Sequence, residues 1–346
     1  MNMSKQTILS LILIGSSICG LRMHGQTTNL LANGGFEQGS DGWINTWAAT
    51  GSHVTERTHS GHGALRISNS ERKNSLWLRM LTDVPLGPMY RVEAYARRDV
   101  DTINATMSLH TNSPPYYRTA SVGPIQKIGE WELLAVELSP RHNGELWIHL
   151  SGEGIGNVWF DDVTVTVAQS KTQRSAALNA ITVDATAPAA ARAQAHLELG
   201  EIVRWADRDS QAACVHFRNV CALIPDDTTK CRMALDALSE SSRRSRNYAG
   251  ATQALRQKID QYSSADTVEG AMDLAMLAEA LGEEAFHLQP DYAAATARLT
   301  EALGLYIRAM AIYASLDPVA HKPAIDKMAD RIVVTRYDIN AYGHAR

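Results

Sequence analysis

The stretch "VWFDDVTVTV", residues 158–167, alternates polar and apolar side chains through its second half. Successive side chains of a β-strand point to opposite faces, so this pattern predicts a strand with one buried face. Six similar runs precede it, separated by Gly, Pro, Asn and Asp: "ALRIS", "SLWLRML", "YRVEAYARR", "ATMSLHT", "WELLAVEL" and "ELWIHLSG". Short strands at this spacing indicate an antiparallel β-sandwich.

The alternation sorts the strand residues onto two faces. The inward face is predicted to carry Leu76, Leu78, Met80, Val92, Ala94, Ala96, Met107, Leu109, Leu146, Ile148 and Leu150. The outward set combines rings with charged or hydrogen-bonding groups, namely Trp77, Arg79, Glu93, Tyr95, His110, Trp147 and His149. In the alternative interpretation, these rings cover the rim of the sandwich or pack under a second domain.

Such an outward surface suits a sugar. The apolar face of a pyranose ring can lie on Trp or Tyr, and its hydroxyls need donors and acceptors around the edge. Six outward residues are therefore the candidate carbohydrate-binding set: Trp77, Arg79, Glu93, Tyr95, His110 and Trp147. Tyr116, in the Pro-stiffened loop "SPPYYR", is added because it could form the wall of a cleft, although it could also be an ordinary turn residue.

Five segments resemble, in order, the jelly-roll carbohydrate-binding modules of the family 4/9/22 type: "NLLANGGFEQGSDGW", "THSGHGALRIS", "LGPMYRVEAYARRD", "GEWELLAVEL" and "NVWFDDVTVTV". The resemblance covers about residues 28–168 and implies a jelly roll. It also implies a structural calcium ion held by Glu37 and Asp161. Asp161 shares strand parity with Val163, and a buried carboxylate needs a partner or a cation. A hydrogen-bonded Glu and Asp without metal is the alternative.

The N-terminus predicts export. Lys5 precedes an apolar run at 8–21, which has the length of a signal-peptide core and is short for a spanning helix. We predict a signal peptide over 1–25 and a secreted or periplasmic protein with no membrane span after cleavage. The formal net charge of −4 argues against nucleic acid as a partner.

The second half of the chain has helical periodicity. Residues 169–187 are predicted to be a linker between a domain at 26–168 and one at 188–346. Three copies of a helical repeat begin at Leu199, Leu238 and Leu281. They resemble tetratricopeptide-type hairpins, which implies a scaffold for a protein partner. A helical spacer without a partner is the alternative.

Three cysteines follow the leader. Cys214 and Cys221 lie two turns apart on one predicted helix, about 10 Å, which is too far for a disulfide. Cys221 and Cys231 flank the turn "ALIPDDTTK", so they are the candidate pair if any disulfide forms. Cys214 is then a buried thiol.

No catalytic motif is present: the sequence lacks GxSxG, GxxxxGK[ST] and HExxH. Glu93 is the only acid on the predicted ligand face, whereas a glycosidase needs two carboxyl groups. The sequence thus favours an exported, non-catalytic protein that binds a polysaccharide or glycan. The alternatives are a structural or interaction protein without a glycan ligand, and an accessory part of a glycoside hydrolase system.

Overall fold

The structure, a computed structural model, describes residues 28–46, 50–111, 118–140 and 144–344. The predicted signal peptide and Tyr116 lie outside these residues. Eight strands come first: β1 Ile44–Thr46, β2 Gly51–Val54, β3 Ala64–Leu81, β4 Met89–Arg98, β5 Ile103–Thr111, β6 Arg118–Val122, β7 Glu132–Leu138 and β8 Leu146–Gln169. Eight helices follow: α1 Lys171–Val183, α2 Ala189–Trp205, α3 Ser210–Leu223, α4 Thr228–Arg244, α5 Tyr248–Tyr262, α6 Val268–His287, α7 Tyr292–Leu316 and α8 Lys322–His344. The predicted class, a sandwich followed by an all-α region, is confirmed.

Two long strands build both layers of the sandwich. The first part of β8 pairs with the end of β3 and with β5, and its second part pairs with the start of β3 and with β4. Layer one therefore has the order β1-β3-β8-β5-β6, and layer two has the order β2-β3-β8-β4-β7. The bend in β8 requires glycine at Gly154, where φ is +122° and a Cβ would lie 2.1 Å from the Thr102 carbonyl oxygen.

One apolar core fills the space between the layers. As the alternation predicts, Val92, Met107 and Ile148 are buried in it. In β3 the prediction is wrong, because Trp77 points into the core and its indole Nε1 donates to the Arg66 carbonyl oxygen at 3.3 Å. In "SLWLRML" the set Leu76, Leu78 and Met80 is uniformly apolar, whereas the other set contains Ser75 and Arg79, so alternation indicated the wrong face. The larger side chain fills the sandwich beneath Gly51, where a Cβ would come within 2.5 Å of the indole.

The segment predicted as a linker contains helix α1, which corrects that prediction. Ser170 caps the helix through a reciprocal bond with Gln173. Arg174 is only 4% exposed. Its guanidinium donates to the Gly87 carbonyl oxygen, to Ser139 of the sandwich and to Glu198 of α2. Because a buried guanidinium needs all of these partners, α1 ties the sandwich to the helices.

The helices form three successive antiparallel hairpins, α2–α3, α4–α5 and α6–α7, and α8 packs on α7. Equivalent repeat positions are buried alike: Leu199, Leu238 and Leu281 in the first helices, and Ala213, Ala251 and Ala295 in the second helices. The second helices begin at side-chain caps, namely Asp209, Asn247 and Asp291. The helical repeat is thus present, and its tetratricopeptide-like type stays a prediction. Within the described residues, none of the helices combines the length and apolarity needed to cross a membrane.

The candidate disulfide is not present in the structure, which holds Cys214, Cys221 and Cys231 as buried thiols. The turn between α3 and α4 brings Cys221 and Cys231 together, but each thiol donates to a carbonyl oxygen. Cys221 Sγ lies 3.6 Å from the Cys231 carbonyl, and Cys231 Sγ lies 3.3 Å from that of Ile224. Burial, with a further contribution from Cys231, raises the pKa of Cys221 to about 12. The Cys221 thiol is therefore held in its protonated, unreactive form.

Candidate functional site

The predicted ligand residues do not share one surface. Trp77 is 4% exposed and belongs to the core. Arg79 has the same parity at the end of β3, and its guanidinium lies against Gly42, which has a φ of +79°. Glu93 and Tyr95 lie on the outer face of layer two, whereas His110 and Trp147 lie on that of layer one. The described candidates are therefore divided between the core and two opposite outer faces, so the prediction of one ligand face is wrong.

The outer face of layer two is covered. The His59 ring stacks on Tyr95 with centroids 3.6 Å apart, and the Trp131 ring meets His59 edge-on. Trp159 is buried beneath the Arg57 guanidinium, which lies 4.8 Å from its ring centroid. The Glu93 carboxylate accepts from Arg91 at 2.8 Å. These rings already have partners, so this face offers little area for stacking a ligand.

The outer face of layer one carries two rows of cross-strand neighbours. Row one crosses four strands in register and consists of Met80, Trp147, His110 and Thr119. Row two lies beside it and consists of Ile44, Leu78, His149, Ser108 and Ser121. Adjacent strands are about 4.8 Å apart, so row one spans about 14 Å, which is longer than one pyranose ring. Each row combines apolar area with hydrogen-bonding groups.

Two polar atoms in these rows lack a partner. Trp147 Nε1 and His149 Nε2 are buried and form no hydrogen bond with the described residues. The neighbouring His110 ring is fixed, with Ser108 Oγ 2.8 Å from its Nε2 and Thr119 Oγ1 3.1 Å from its Nδ1. A buried polar atom without a partner is unusual in a folded protein and marks a place for a ligand or an ordered water. One of these unsatisfied atoms belongs to the indole of row one, and the other belongs to the neighbouring imidazole in row two.

The two imidazoles are held neutral. Their ring centroids are 4.2 Å apart. Burial and the neighbouring His110 lower the pKa of His149 to about 4, and burial also lowers the pKa of His110. A neutral imidazole has one N–H donor and one acceptor nitrogen, which is the pair of functions that a sugar hydroxyl needs. Near neutral pH this face therefore offers uncharged hydrogen-bonding groups.

A pocket of about 380 Å³ lies at the other end of layer one. It is lined by Arg72, Asn104 and Glu153, with Asp101, Thr102, Gly154 and Ile155. Asn104 pairs with Glu153, and Glu153 pairs with Asn74, so this polar row continues the surface along the strands. Sequence reasoning missed this pocket, together with Met80 and Leu78, because it placed β3 with the wrong face outward. It placed His149 outward correctly.

The predicted metal ligands both hold the loop at 59–62. One oxygen of Asp161 accepts the backbone N–H groups of His59 and Ser60, at 2.7 and 3.1 Å. The Glu37 carboxylate accepts the backbone N–H of His62 at 2.8 and 3.0 Å. A Cβ at Gly61 would lie 1.9 Å from Glu37 Oε1, so the loop packs directly on this carboxylate. Backbone amides therefore provide hydrogen-bond partners for both carboxylates.

The expected parity of Asp161 is wrong. Glu93 pairs with Thr164 but Tyr95 pairs with Asp161, so β8 has one extra residue here, and Asp162 has a φ of +49°. This bulge places Asp161 on the outer side, away from the core-facing Val163. Although backbone hydrogen bonds oppose the shift, burial raises the pKa of Asp161.

Calcium takes about six to eight oxygen ligands, and the groups placed here do not form such a cage. Among the described residues, no cluster of three or more His, Cys, Asp or Glu could hold a metal ion. The carboxylates fit a hydrogen-bonded anchor for the 59–62 loop instead. Calcium stays a prediction that chelation can test.

Comparison with known proteins supports the sandwich assignment. Residues 28–152 match a family model described as a carbohydrate binding domain, which confirms the resemblance seen in the sequence. This match covers most of the sandwich and none of the helices. A search of curated proteins gives no match.

Several solved carbohydrate-binding modules are similar to this chain. TmCBM61 in complex with β-1,4-galactotriose is 20% identical, with a TM-score of 0.34, over 41% of this chain and 99% of that one. The CBM22-1 xylan-binding domain of Xyn10C from Paenibacillus barcinonensis is 15% identical, with a TM-score of 0.36, over 42% and 97%. A family 16 carbohydrate-binding module is 18% identical, with a TM-score of 0.33, over 40% and 99%.

Proposed function

We propose that this chain is an exported, non-catalytic protein whose sandwich binds a polysaccharide or glycan on the outer face of layer one. The observation that carries the proposal is row one, in which Trp147 and His110 are direct cross-strand neighbours on a face that keeps unpartnered polar atoms. The match of residues 28–152 to a carbohydrate binding domain supports the same ligand class.

The contacts assign a role to each group in the rows. The indole of Trp147 and the adjacent Met80 provide apolar area for the C–H face of a sugar ring. His149 Nε2, which has no partner among the described residues, exchanges a hydrogen bond with a ligand hydroxyl, whereas Ser108 and Thr119 hold both nitrogens of His110. Trp147 Nε1, which is buried and has no partner among the described residues, reaches the ligand through an ordered water. A chain of sugars lies across the strands because the row runs in that direction.

The chemistry of this face favours binding over hydrolysis. Glycoside hydrolysis requires two carboxyl groups flanking the scissile bond. Rows one and two consist of apolar, imidazole and hydroxyl side chains and contain no carboxylate among the described residues. The family description likewise names a binding domain and no reaction.

The direct test is affinity electrophoresis of the full mature chain in gels that contain single polysaccharides. β-1,4-Galactan and xylan belong in the panel because two of the similar modules bind such sugars. Trp147→Ala is expected to weaken retardation about tenfold or more, the effect of removing a central aromatic anchor. Tyr95→Ala, on the covered opposite face, is the matched control and should retain binding. Circular dichroism confirms that both variants are folded.

Two outcomes would overturn the proposal. One is the absence of retardation by every polysaccharide in a broad panel. The other is loss of retardation in Tyr95→Ala with retention in Trp147→Ala. Release of sugars from the polymers by the purified chain would contradict its non-catalytic part.

Export is the second part of the proposal. It rests on the apolar run at 8–21, which follows Lys5. N-terminal sequencing of the protein recovered from the periplasm or the culture medium should find a chain that starts near Gln26. An intact N-terminus on cell-associated protein would contradict cleavage.

The third part of the proposal is that the helical hairpins are a scaffold for a protein partner. Their first helices line a cavity of about 420 Å³ that includes Met233, Met272 and Met276. Methionine is flexible and polarizable, so such a surface adapts to apolar side chains. Buried charges form its floor, where Lys258 lies between Asp236 and Asp273. This role predicts that a protein partner co-purifies with residues 169–346. The partner should no longer co-purify when α2–α8 are deleted.

A further inference from the structure

The helical repeats share an interaction that joins one hairpin to the next. Each copy reads Leu, then Gly or Ser, then Glu, and the first two copies place Arg three residues after the Glu. In the structure Arg204 of the first copy donates to Glu240 of the second at 3.3 Å. Arg243 of the second copy donates in the same way to Glu283 of the third, with 2.7 Å from Nε to Oε2. We call these two ion pairs the Arg–Glu ladder.

The ladder stops at the third copy. The position that holds Arg in the first two copies is Phe286, and this ring is 64% exposed. Across the junction, α8 presents Val334, which is 52% exposed. Both side chains line a cavity of about 340 Å³ between α6, α7 and α8. At this junction Glu279 pairs with Lys327 and Arg331 of α8, and the apolar side chains of Phe286 and Val334 stay exposed beside them.

The charges around this cavity are unevenly compensated. Glu283 is paired with Arg243, and Glu279 with Lys327 and Arg331. Asp338 lines the same cavity and forms no ion pair with any described residue. A half-buried carboxylate beside exposed apolar side chains attracts a ligand that carries an apolar group next to a positive charge.

We propose that this cavity is a docking site of the helical scaffold, in addition to the methionine-lined cavity. Its occupant is a peptide segment of another protein, in which an apolar side chain packs on Phe286 and Val334 and an adjacent Lys or Arg pairs with Asp338. This proposal rests on the scaffold role proposed above and adds its location and the chemistry of the partner. The choice of site follows from the repeat, because the position that holds Arg204 and Arg243 in the first two copies holds the exposed Phe286 in the third.

The experiment measures binding of fluorescein-labelled short peptides to the full mature chain by fluorescence anisotropy. The first peptide has a central Phe flanked by Lys in a Gly/Ser background. Two matched peptides replace the Lys residues with Glu, or the Phe with Ser. The Lys–Phe peptide is expected to bind, and either replacement should weaken it by about tenfold or more.

Phe286→Arg combined with Val334→Glu installs at the third junction the residue types of the other two. It should keep the fold and reduce binding of the Lys–Phe peptide by about tenfold or more. Asp338→Asn should weaken binding by about two- to fivefold, as expected for an exposed ion pair. Val319→Arg, a change at an exposed apolar residue in the turn before α8, is the control and should leave binding unchanged.

The experiment distinguishes failure of the proposed docking site from failure of the scaffold role. Equal binding of the Lys and Glu peptides, or full binding by the Phe286→Arg, Val334→Glu variant, overturns the proposed site. A natural partner that co-purifies equally with this variant leaves the scaffold role standing and places its docking site elsewhere. A wild-type dimer in light scattering that becomes monomeric in this variant would assign the cavity to a second copy of the chain and overturn the proposed occupant.

Discussion

The two outer faces of the sandwich carry similar residue types and differ in what covers them. On layer two the loop at 59–62 reaches over the sheet, so that Tyr95 stacks under His59 and Asp161 accepts two amides. On layer one, Trp147, His110 and His149 lie in register, and two of their polar atoms have no partner among the described residues. An outward-pointing ring is therefore a ligand platform only when no loop occupies it.

The largest expected effect is the loss of stability when an aromatic ring of the core, and not one of the surface, is removed. Trp77→Ala removes a buried indole from between the layers and should lower the free energy of unfolding by about 3–5 kcal/mol. Urea unfolding measures this change, with Trp147→Ala as the control on the outer face. A loss for Trp77→Ala no larger than that for the control would mean that Trp77 is not part of the core.

A smaller effect is expected where the loop is anchored over layer two. Asp161→Asn removes the charge that accepts the amides of His59 and Ser60 and should cost about 1.5–3 kcal/mol, the range for hydrogen bonds to a charged group. Thermal unfolding measures the loss, and hydrogen exchange of the 59–62 amides should increase. With the wild type, an unchanged melting temperature on chelation would support the hydrogen-bonded anchor without metal. A decrease on chelation, reversed by calcium, would instead support a bound cation.

The third prediction concerns pH and layer one. His149 has a folded-state pKa of about 4, below its usual value of 6.5, so the unfolded chain binds a proton that the folded protein excludes. Above pH 6.5 the His149 side chain is neutral in both the folded and the unfolded state, so its titration does not affect folding. The free energy of unfolding should fall as the pH drops from 6.5 toward 4. Melting curves across this range measure the fall, which His149→Gln should reduce. An unchanged pH profile in that variant would show that His149 titrates normally.

The smallest effect is expected on the covered face. Glu93 is half-exposed and paired with Arg91, and such pairs contribute little. Glu93→Gln should change the free energy of unfolding by no more than about 0.5 kcal/mol and leave polysaccharide retardation intact. Loss of retardation in this variant would place the ligand on layer two and reverse the comparison between the faces.

Much of the fold could be predicted because its signals are local. Alternation correctly placed the inward residues of β4, β5 and the first part of β8, where one parity is clearly apolar. It failed in β3, where the core residue Trp77 shares its parity with the polar Ser75 and Arg79. It also failed at Asp161, where a bulge shifts the parity by one residue. The small and polar composition of 169–187 concealed a helix, because α1 is held by tertiary contacts of Arg174 and not by an apolar stripe.

The candidate site was less predictable, because accessibility depends on residues far apart in the chain. The sequence by itself determined that strands precede helices, that the strand region resembles carbohydrate-binding modules, and that a helical motif repeats three times. Only the tertiary structure decided that His59 covers Tyr95, that Trp147 and His110 meet across two strands, and that the Arg–Glu ladder ends at an exposed Phe286. Periodicity is a property of neighbouring residues, whereas coverage and pairing require the folded chain to bring distant segments into contact.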